Sequence, residues 1–288
     1  MNYNKLTGLQ NLGNTCYLNS ALQLLFKCEI LNDIFIKTDI KDNNILKGYT
    51  QTIKDYYNNE VNTLGPVIIY KIIGKFYSQF RGFDQNDSHE FIICLIELIE
   101  KTFNDYDKTI NISKHLEELF DCKIKSEILC LKTKQNFYTD TNEKFLLLPI
   151  PNKNKISLDD CLKMYQQVEL LNDDNKYFND KINEYVDAKK KYVITNYPRY
   201  LFIVLKRFNN LLNKISKNID IPINYILNNS EYCLKGFIIQ SGSLLGGHYI
   251  SYININNNWK CCNDDNITNI DNINEYIKQS YILLYIKN

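Results

Sequence analysis

Cys16 sits in GLQNLGNTCYLNSALQLLF, Gly8 to Phe26, just after Asn, Gly and Thr and just before an apolar pattern of helical spacing. A thiol at a helix N-terminus feels the positive end of the peptide dipole, which favours thiolate and nucleophilic chemistry. Free cysteines are also among the most buried residue types, so inert packing is the competing reading. A nucleophile activated by imidazole needs a histidine, and the chain has three: His89, His115 and His248. His115, in SKHLEELF, lies on a charged helical face and reads as solvated. His89, in DQNDSHEF, opens a helix, where a structural hydrogen bond explains it better than catalysis. His248 follows SGSLLGG and begins the strand-like HYISYINI. Glycines ahead of a histidine let another backbone or an extended substrate approach closely. Tyr249 then turns to the opposite face, and His248 is the leading candidate base.

The elements that must position this pair follow from periodicity. Thr15 to Lys27 places Leu18, Ala21, Leu22 and Leu25 on one helical face, with Thr15 as N-cap. Asp87 to Phe103 repeats the spacing through Phe91, Cys94, Leu95 and Leu98. From about Glu118 the pattern turns to strands. Lys144 to Ile150, Tyr200 to Phe208, Leu234 to Gln240, Gly247 to Ile255 and Ser280 to Ile286 are β-branched and aromatic runs bounded by turn residues. A charged stretch, roughly Ser157 to Lys191, reads as helical. Asn43–Asn44, Asn228–Asn229 and Asn256–Asn258 read as loops. The pattern predicts an α+β protein, helices first and then an antiparallel sheet. A cysteine heading an early helix and facing a histidine on a late strand is a papain-like layout.

Composition narrows the function class. The 288 residues carry a net charge of +1, which gives no reason to expect nucleic acid or an anionic membrane as partner. No apolar run approaches transmembrane length, and MNYNKLTGLQ lacks the apolar core of a secretory signal. The nine cysteines are an odd number at irregular spacing. They read as reduced thiols in an intracellular compartment, cytoplasmic, nuclear or both. Cys94, Cys130 and Cys233 fall on helix faces or near strands and read as inert.

Four segments together carry a family resemblance. GLQNLGNTCYLNSALQ resembles the Cys box of the ubiquitin-specific proteases, the papain-like cysteine deubiquitinases. GFDQNDSHEFIICLIELI is similar to their QQD-type helix, YPRYLFIVLKRF to their strand ending in LKRF, and GGHYISYININNNWKCCNDDNIT to their His box. The segments occur in the family's order between Leu6 and Tyr285. The resemblance implies a papain-like fold of the USP type: a helical thumb over about 1–117, reduced β fingers with connecting helices over about 118–199, and a β-sheet palm with the His box over about 200–288. The whole chain, 1–288, would be a single catalytic domain.

The resemblance also implies roles. Cys16 matches the nucleophile and His248 the general base. Asn263 matches the third triad member, which orients the imidazole, and Asp264 the neighbouring acidic residue that assists. Asn11 matches the side-chain donor to the oxyanion; losing one such donor costs other hydrolases about 3–4 kcal/mol of transition-state stabilisation. Gln85, Asp87, Gly247 and Tyr249 match the lining of a narrow channel for a Gly-Gly tail. Asp87 either pairs with an arginine of that tail, caps its helix, or both. The implied activity is thiol-dependent hydrolysis at the C-terminal glycine of ubiquitin. The alternatives are a protease for a ubiquitin-like modifier or an inactive ubiquitin-binding scaffold. The implied partners are ubiquitin, ubiquitinated proteins and an adaptor, since the chain opens at the Cys box and closes after the last strand, leaving no room for a targeting domain.

Two departures stand out. Family members commonly hold zinc at the fingertips with two C-x-x-C pairs, which fall here at positions 130, 133, 179 and 182. These are Cys130, Thr133, Asn179 and Ile182. One thiolate cannot hold tetrahedral zinc, so no structural metal and no cofactor are expected. Gln240 stands where the family often has histidine, and it retains hydrogen-bonding capacity.

Overall fold

The structure is a computed structural model that describes residues 1–38, 45–58, 60–106, 112–208, 213–243 and 246–288. Asn43–Asn44 lie outside the described residues. The first 120 residues form helices α1 (Cys16–Leu25), α2 (Glu29–Lys37), α3 (Ile45–Tyr56), α4 (Val67–Phe76), α5 (Ser88–Tyr106) and α6 (Ile112–Phe120). Two short strands, β1 (Gly8–Leu9) and β2 (Thr63–Leu64), pair in parallel beside them. None of the described helices is long and apolar enough to cross a membrane.

The fingers are a four-stranded sheet in the order β4 (Asn136–Glu143), β3 (Cys122–Cys130), β10 (Ala188–Asn196), β7 (Glu169–Leu171), with a hairpin of β8 (Tyr177–Asn179) and β9 (Glu184–Val186). The palm sheet runs β17 (Asn266–Ile270), β16 (Asn258–Asn263), β15 (Gly247–Ile255), β14 (Ser230–Gly242), β18 (Ile282–Lys287), β11 (Tyr200–Leu205), β5 (Phe145–Leu148), and β13 (Asn224–Leu227) also pairs with β14. Its neighbours are antiparallel except β5, which pairs with β11 in parallel. The pair β6 (Ile156–Ser157) and β12 (Ile219–Asp220), with α7 (Leu158–Tyr165) and α8 (Asn274–Ile277), completes the described elements.

Strand side chains alternate between faces, and the palm separates two cores this way. In β11, Tyr200, Phe202 and Val204 join the helices' core, whereas Leu201, Ile203 and Leu205 join the core behind the sheet. Ile282 and Leu284 of β18 face the helices, and Leu283 and Tyr285 face away. These strands therefore read as continuous apolar runs. Arg207, just beyond β11, is buried to 1% exposure without a carboxylate. Its guanidinium donates to the carbonyls of Ile215, Lys217, Lys278 and Ser280. Burial pulls its pKa down to about 10.

The expected helix over Ser157 to Lys191 is corrected: only Leu158–Tyr165 is α-helical, a 3-10 turn covers Asp173–Asn175, and β7 to β10 take up most of the rest. Asp173 and Asn183 break the stretch with φ of 50° and 53°. The lysines of β10 alternate along a strand, where Lys191 faces Glu127 of β3 at 2.8 Å. Sheet pairing overrides local helix propensity here. Of the asparagine loops, Asn228–Asn229 and Asn256–Asn257 have positive φ and form two-residue turns, the geometry tight hairpins require.

The positions matching the fingertip ligands do converge. The Cys130 sulfur accepts from the Thr133 N–H at 3.3 Å and from Asn179 Nδ2 at 3.6 Å. Asn179, fully buried, accepts from the Lys181 N–H and closes the turn with its carbonyl bound by the Ile182 N–H. Burial pushes the Cys130 thiol up, but these hydrogen bonds outweigh it and hold the thiol below its ordinary pKa. We expect chelators to leave the melting temperature unchanged and elemental analysis to find no stoichiometric zinc. Asn179→Ala should cost about 1–2 kcal/mol and lower Tm by a few degrees. One zinc per chain, or an unchanged Tm in the variant, would refute this account.

Candidate active site

Asn11 organises the loop that leads into α1. Its Oδ1 accepts from the N–H groups of Gly13 and Thr15, both at 3.0 Å. Thr15 occupies the N-cap position but makes no side-chain cap bond; its hydroxyl accepts from the Leu12 N–H at 2.8 Å instead. Gly13, at φ +107°, supplies the left-handed turn. Cys16 follows as the first residue of α1, with 4% of its surface exposed.

Helix α1 packs on β15 and β14. His248 stands near the start of β15, the strand on which the helix headed by Cys16 packs. His248 Nε2 is 2.6 Å from Asn263 Oδ1. An amide oxygen only accepts, so the ring carries its proton on Nε2 and leaves Nδ1 as the free base. The structure thus joins His248 to Asn263, on strands that pack against the helix headed by Cys16.

Asp264 does something other than support the imidazole. It sits at φ +53° in the turn between β16 and β17. Its Oδ2 accepts from Asn11 Nδ2 at 2.9 Å and its Oδ1 from Asn19 Nδ2 at 2.8 Å. Its carbonyl accepts from the Leu9 N–H at 2.9 Å. Gly8 permits this approach, because a Cβ there would stand 2.2 Å from the Asp265 carbonyl oxygen. Asn19 also donates to the Leu9 and Gln10 carbonyls. Sequence reasoning missed Asn19; a polar residue on the buried side of an otherwise apolar helix was the available signal.

The expected lowering of the Cys16 pKa by the helix terminus is reversed. Burial raises the thiol above its ordinary value, backbone N–H groups of Tyr249, Tyr17 and Cys16 offset part of this, and the Asp264 charge raises it further.

The residues matched to a tail channel also gather. Gln85 Oε1 accepts from the Gly247 N–H at 2.5 Å. Asp87 Oδ1 caps α5, accepting from the N–H groups of His89 and Glu90, while Oδ2 accepts from Tyr249 and Tyr281 hydroxyls at 2.8 and 2.9 Å. These bonds show the capping contact and tie two tyrosine hydroxyls to the same carboxylate. A cleft of about 580 Å³ opens here, lined by Gln85, Asp87, Leu147, Phe208, Tyr249 and Tyr281. His89 lines the same cleft with its ring edge-on to Phe145 at 4.6 Å; its backbone makes the expected bond near the helix start, but its buried Nε2 has no partner among the described residues. His115 is exposed.

Comparison with known proteins places this geometry. The family model "Ubiquitin carboxyl-terminal hydrolase" matches residues 7–285. A Drosophila melanogaster relative, Ubiquitin carboxyl-terminal hydrolase Usp2, is 25% identical over 97% of this chain and 34% of that protein. Ubiquitin carboxyl-terminal hydrolase 4 of Arabidopsis thaliana is 26% identical over 92% of this chain and 85% of its own length. The chain thus spans about a third of the fly protein but most of the plant one. Among solved structures, the SAGA DUB module Ubp8/Sgf11/Sus1/Sgf73 bound to monoubiquitin contains a chain similar at TM-score 0.82 and 25% identity, covering 100% of this chain and 70% of that one.

The raised thiol has a direct readout. Iodoacetamide labelling of Cys16 in the free protein, followed on its peptide by mass spectrometry, should accelerate as pH rises past the range of an ordinary thiol. A raised pKa leaves little thiolate at neutral pH, so the curve should not plateau there. Asp264→Asn removes a negative charge and should move the curve to lower pH. A rate already at plateau at pH 7 would contradict the balance described.

Proposed function

The chain belongs to the ubiquitin carboxyl-terminal hydrolase family, and we propose that it is a thiol-dependent deubiquitinase cleaving the isopeptide or peptide bond at the C-terminal glycine of ubiquitin. The observation that carries this reading is the Asn263–His248 pair, with His248 on β15, the strand on which the helix headed by Cys16 packs. In this reading the free Nδ1 of His248 takes the thiol proton as Cys16 attacks the glycine carbonyl. The imidazolium then protonates the departing amine. Water, deprotonated by the same Nδ1, hydrolyses the thioester and regenerates the thiol.

The oxyanion of each tetrahedral intermediate is received by the Cys16 N–H and by Asn11 Nδ2. An amide nitrogen has two hydrogens; one of Asn11's goes to Asp264, which aims the other. Asp264 is thus a positioning residue for the oxyanion donor, and Asn263 orients the base. Gln85, Gly247 and Tyr249 line the path of the Gly-Gly tail, and Asp87 acts by fixing the hydroxyls of Tyr249 and Tyr281. The whole chain acts as one catalytic domain in a reducing intracellular compartment, with all nine cysteines free, without a metal or cofactor. Assembly with an adaptor is supported by the similar Ubp8 chain, which is found with Sgf11, Sus1 and Sgf73.

A ubiquitin probe with a C-terminal electrophile tests this directly. It should add one ubiquitin mass at Cys16; labelling only by a probe built on a ubiquitin-like modifier would change the substrate, and no labelling by either would favour the scaffold reading. Cys16→Ala should abolish hydrolysis while ubiquitin binding persists, and His248→Ala should be comparably inactive. Asn263→Asp should be tolerated, because a carboxylate accepts the same ring N–H. Asp264→Ala should lower kcat about 10²–10³-fold, the cost of an oxyanion donor, with KM little changed. A loss of only a few-fold would mean that Asn11 is aimed without Asp264.

A further inference from the structure

Phe83 is a large apolar side chain with 70% of its surface in water, yet its backbone is pinned on both sides. The carbonyl of Phe83 accepts from Asn14 Nδ2 at 2.7 Å, and the carbonyl of Gly82 accepts from the Tyr70 hydroxyl. Its ring lies on Gly13, where a Cβ would come within 2.5 Å of the ring. Gly13 and Asn14 lead directly into Thr15 and Cys16. The ring is therefore an exposed apolar surface held fixed against the loop that carries the nucleophile. An ordinary exposed aromatic on a loose loop would pay conformational entropy on making a contact; a pinned one pays little.

Its position relative to the cleft indicates what it meets. Gln85, two residues on, bridges to Gly247, and the cleft assigned to the ubiquitin tail is lined from Gln85 onward and does not include Phe83. Phe83 stands outside that cleft, against the loop ahead of the nucleophile. On the deubiquitinase reading the tail lies in that cleft and its last carbonyl reaches Cys16, so the departing group lies outside the cleft, as Phe83 does beside the loop of Gly13 and Asn14. On the deubiquitinase reading, we propose that Phe83 is a specificity-determining contact for that departing group: the aliphatic stem of the acceptor lysine and the apolar surface beside it. A phenyl ring suits a methylene stem because it buries apolar area without demanding a hydrogen bond.

The test compares two substrates on the full chain. One is ubiquitin joined through an isopeptide bond to the lysine of a peptide; the other is ubiquitin C-terminal methyl ester, whose leaving group is too small to reach the ring. In Phe83→Ala, the ratio of kcat/KM for the isopeptide to that for the ester should fall about tenfold, the scale of losing one aromatic contact. Phe83→Tyr, which keeps the ring, should restore the ratio to within about twofold of wild type on the same scale. An equal loss on both substrates would make Phe83 a mere buttress of Gly13 and overturn the inference, as would no loss on either. A wild-type enzyme that hydrolyses neither substrate would overturn the deubiquitinase reading and this inference with it.

Discussion

The carboxylate of Asp264 ties the two halves of the site together. Through Asn11 it fixes the loop before Cys16, through Asn19 it fixes the helix that follows, and through its own carbonyl it holds β1. The hairpin that carries it is the one whose previous residue, Asn263, holds His248. Consecutive residues at a strand end point different ways, so neighbouring side chains reach separate targets. One two-residue turn thereby sets the distance between nucleophile loop and base. A change in that turn would loosen both at once.

The turn can serve this way only because the sheet behind it is rigid. Strands β11 and β18 have alternate residues committed to opposite cores, and β14 joins them through Phe237 and Ile238, which face opposite sides. A slip of one residue would send every side chain to the wrong core, so register is strongly specified. Arg207 adds a fixed point at the sheet's end by gathering four carbonyls from two separate segments. Removing one partner of such a buried charge leaves desolvation uncompensated. The LKRF arginine is thus a structural staple of the palm, remote in role from the chemistry.

The positions of Cys16 at a helix start and of His248 on a strand, and the helix of Ser88–Tyr106, were legible because local signals and burial agree there. The glycines before His248 and the helical spacing after Cys16 describe short-range geometry. The direction of Asp264 was not legible: whether a carboxylate beside a triad residue faces the imidazole or the oxyanion loop depends on a positive φ in a turn. The two tyrosine contacts of Asp87 were hidden for a related reason, since Tyr249 and Tyr281 reach it from distant parts of the chain. The stretch after Ser157 misled because lysine-rich runs favour helix locally, and only pairing with β3 makes a strand of them. Where the sign of an effect depended on burial, as for the Cys16 pKa, a sequence argument from the helix terminus alone gave the wrong direction.

That reversal bears on how the site works. A negative charge at Asp264 disfavours the thiolate, yet the same charge aims the Asn11 amide at the oxyanion. Both effects come from one carboxylate, so the site cannot keep the donor alignment and shed the penalty. The arrangement favours the transition state over the resting thiolate. A thiol pKa raised by burial keeps the thiolate fraction low at neutral pH. On the proposed mechanism, an acyl group in the cleft draws negative charge from sulfur to its carbonyl oxygen, towards Asn11 and the Cys16 N–H, while the proton passes to an imidazole oriented by Asn263. Interactions that strengthen only as that charge moves raise kcat without tightening the ground state. A depressed thiol pKa would instead stabilise the starting thiolate, and some of that stabilisation would have to be given up on the way to the tetrahedral intermediate.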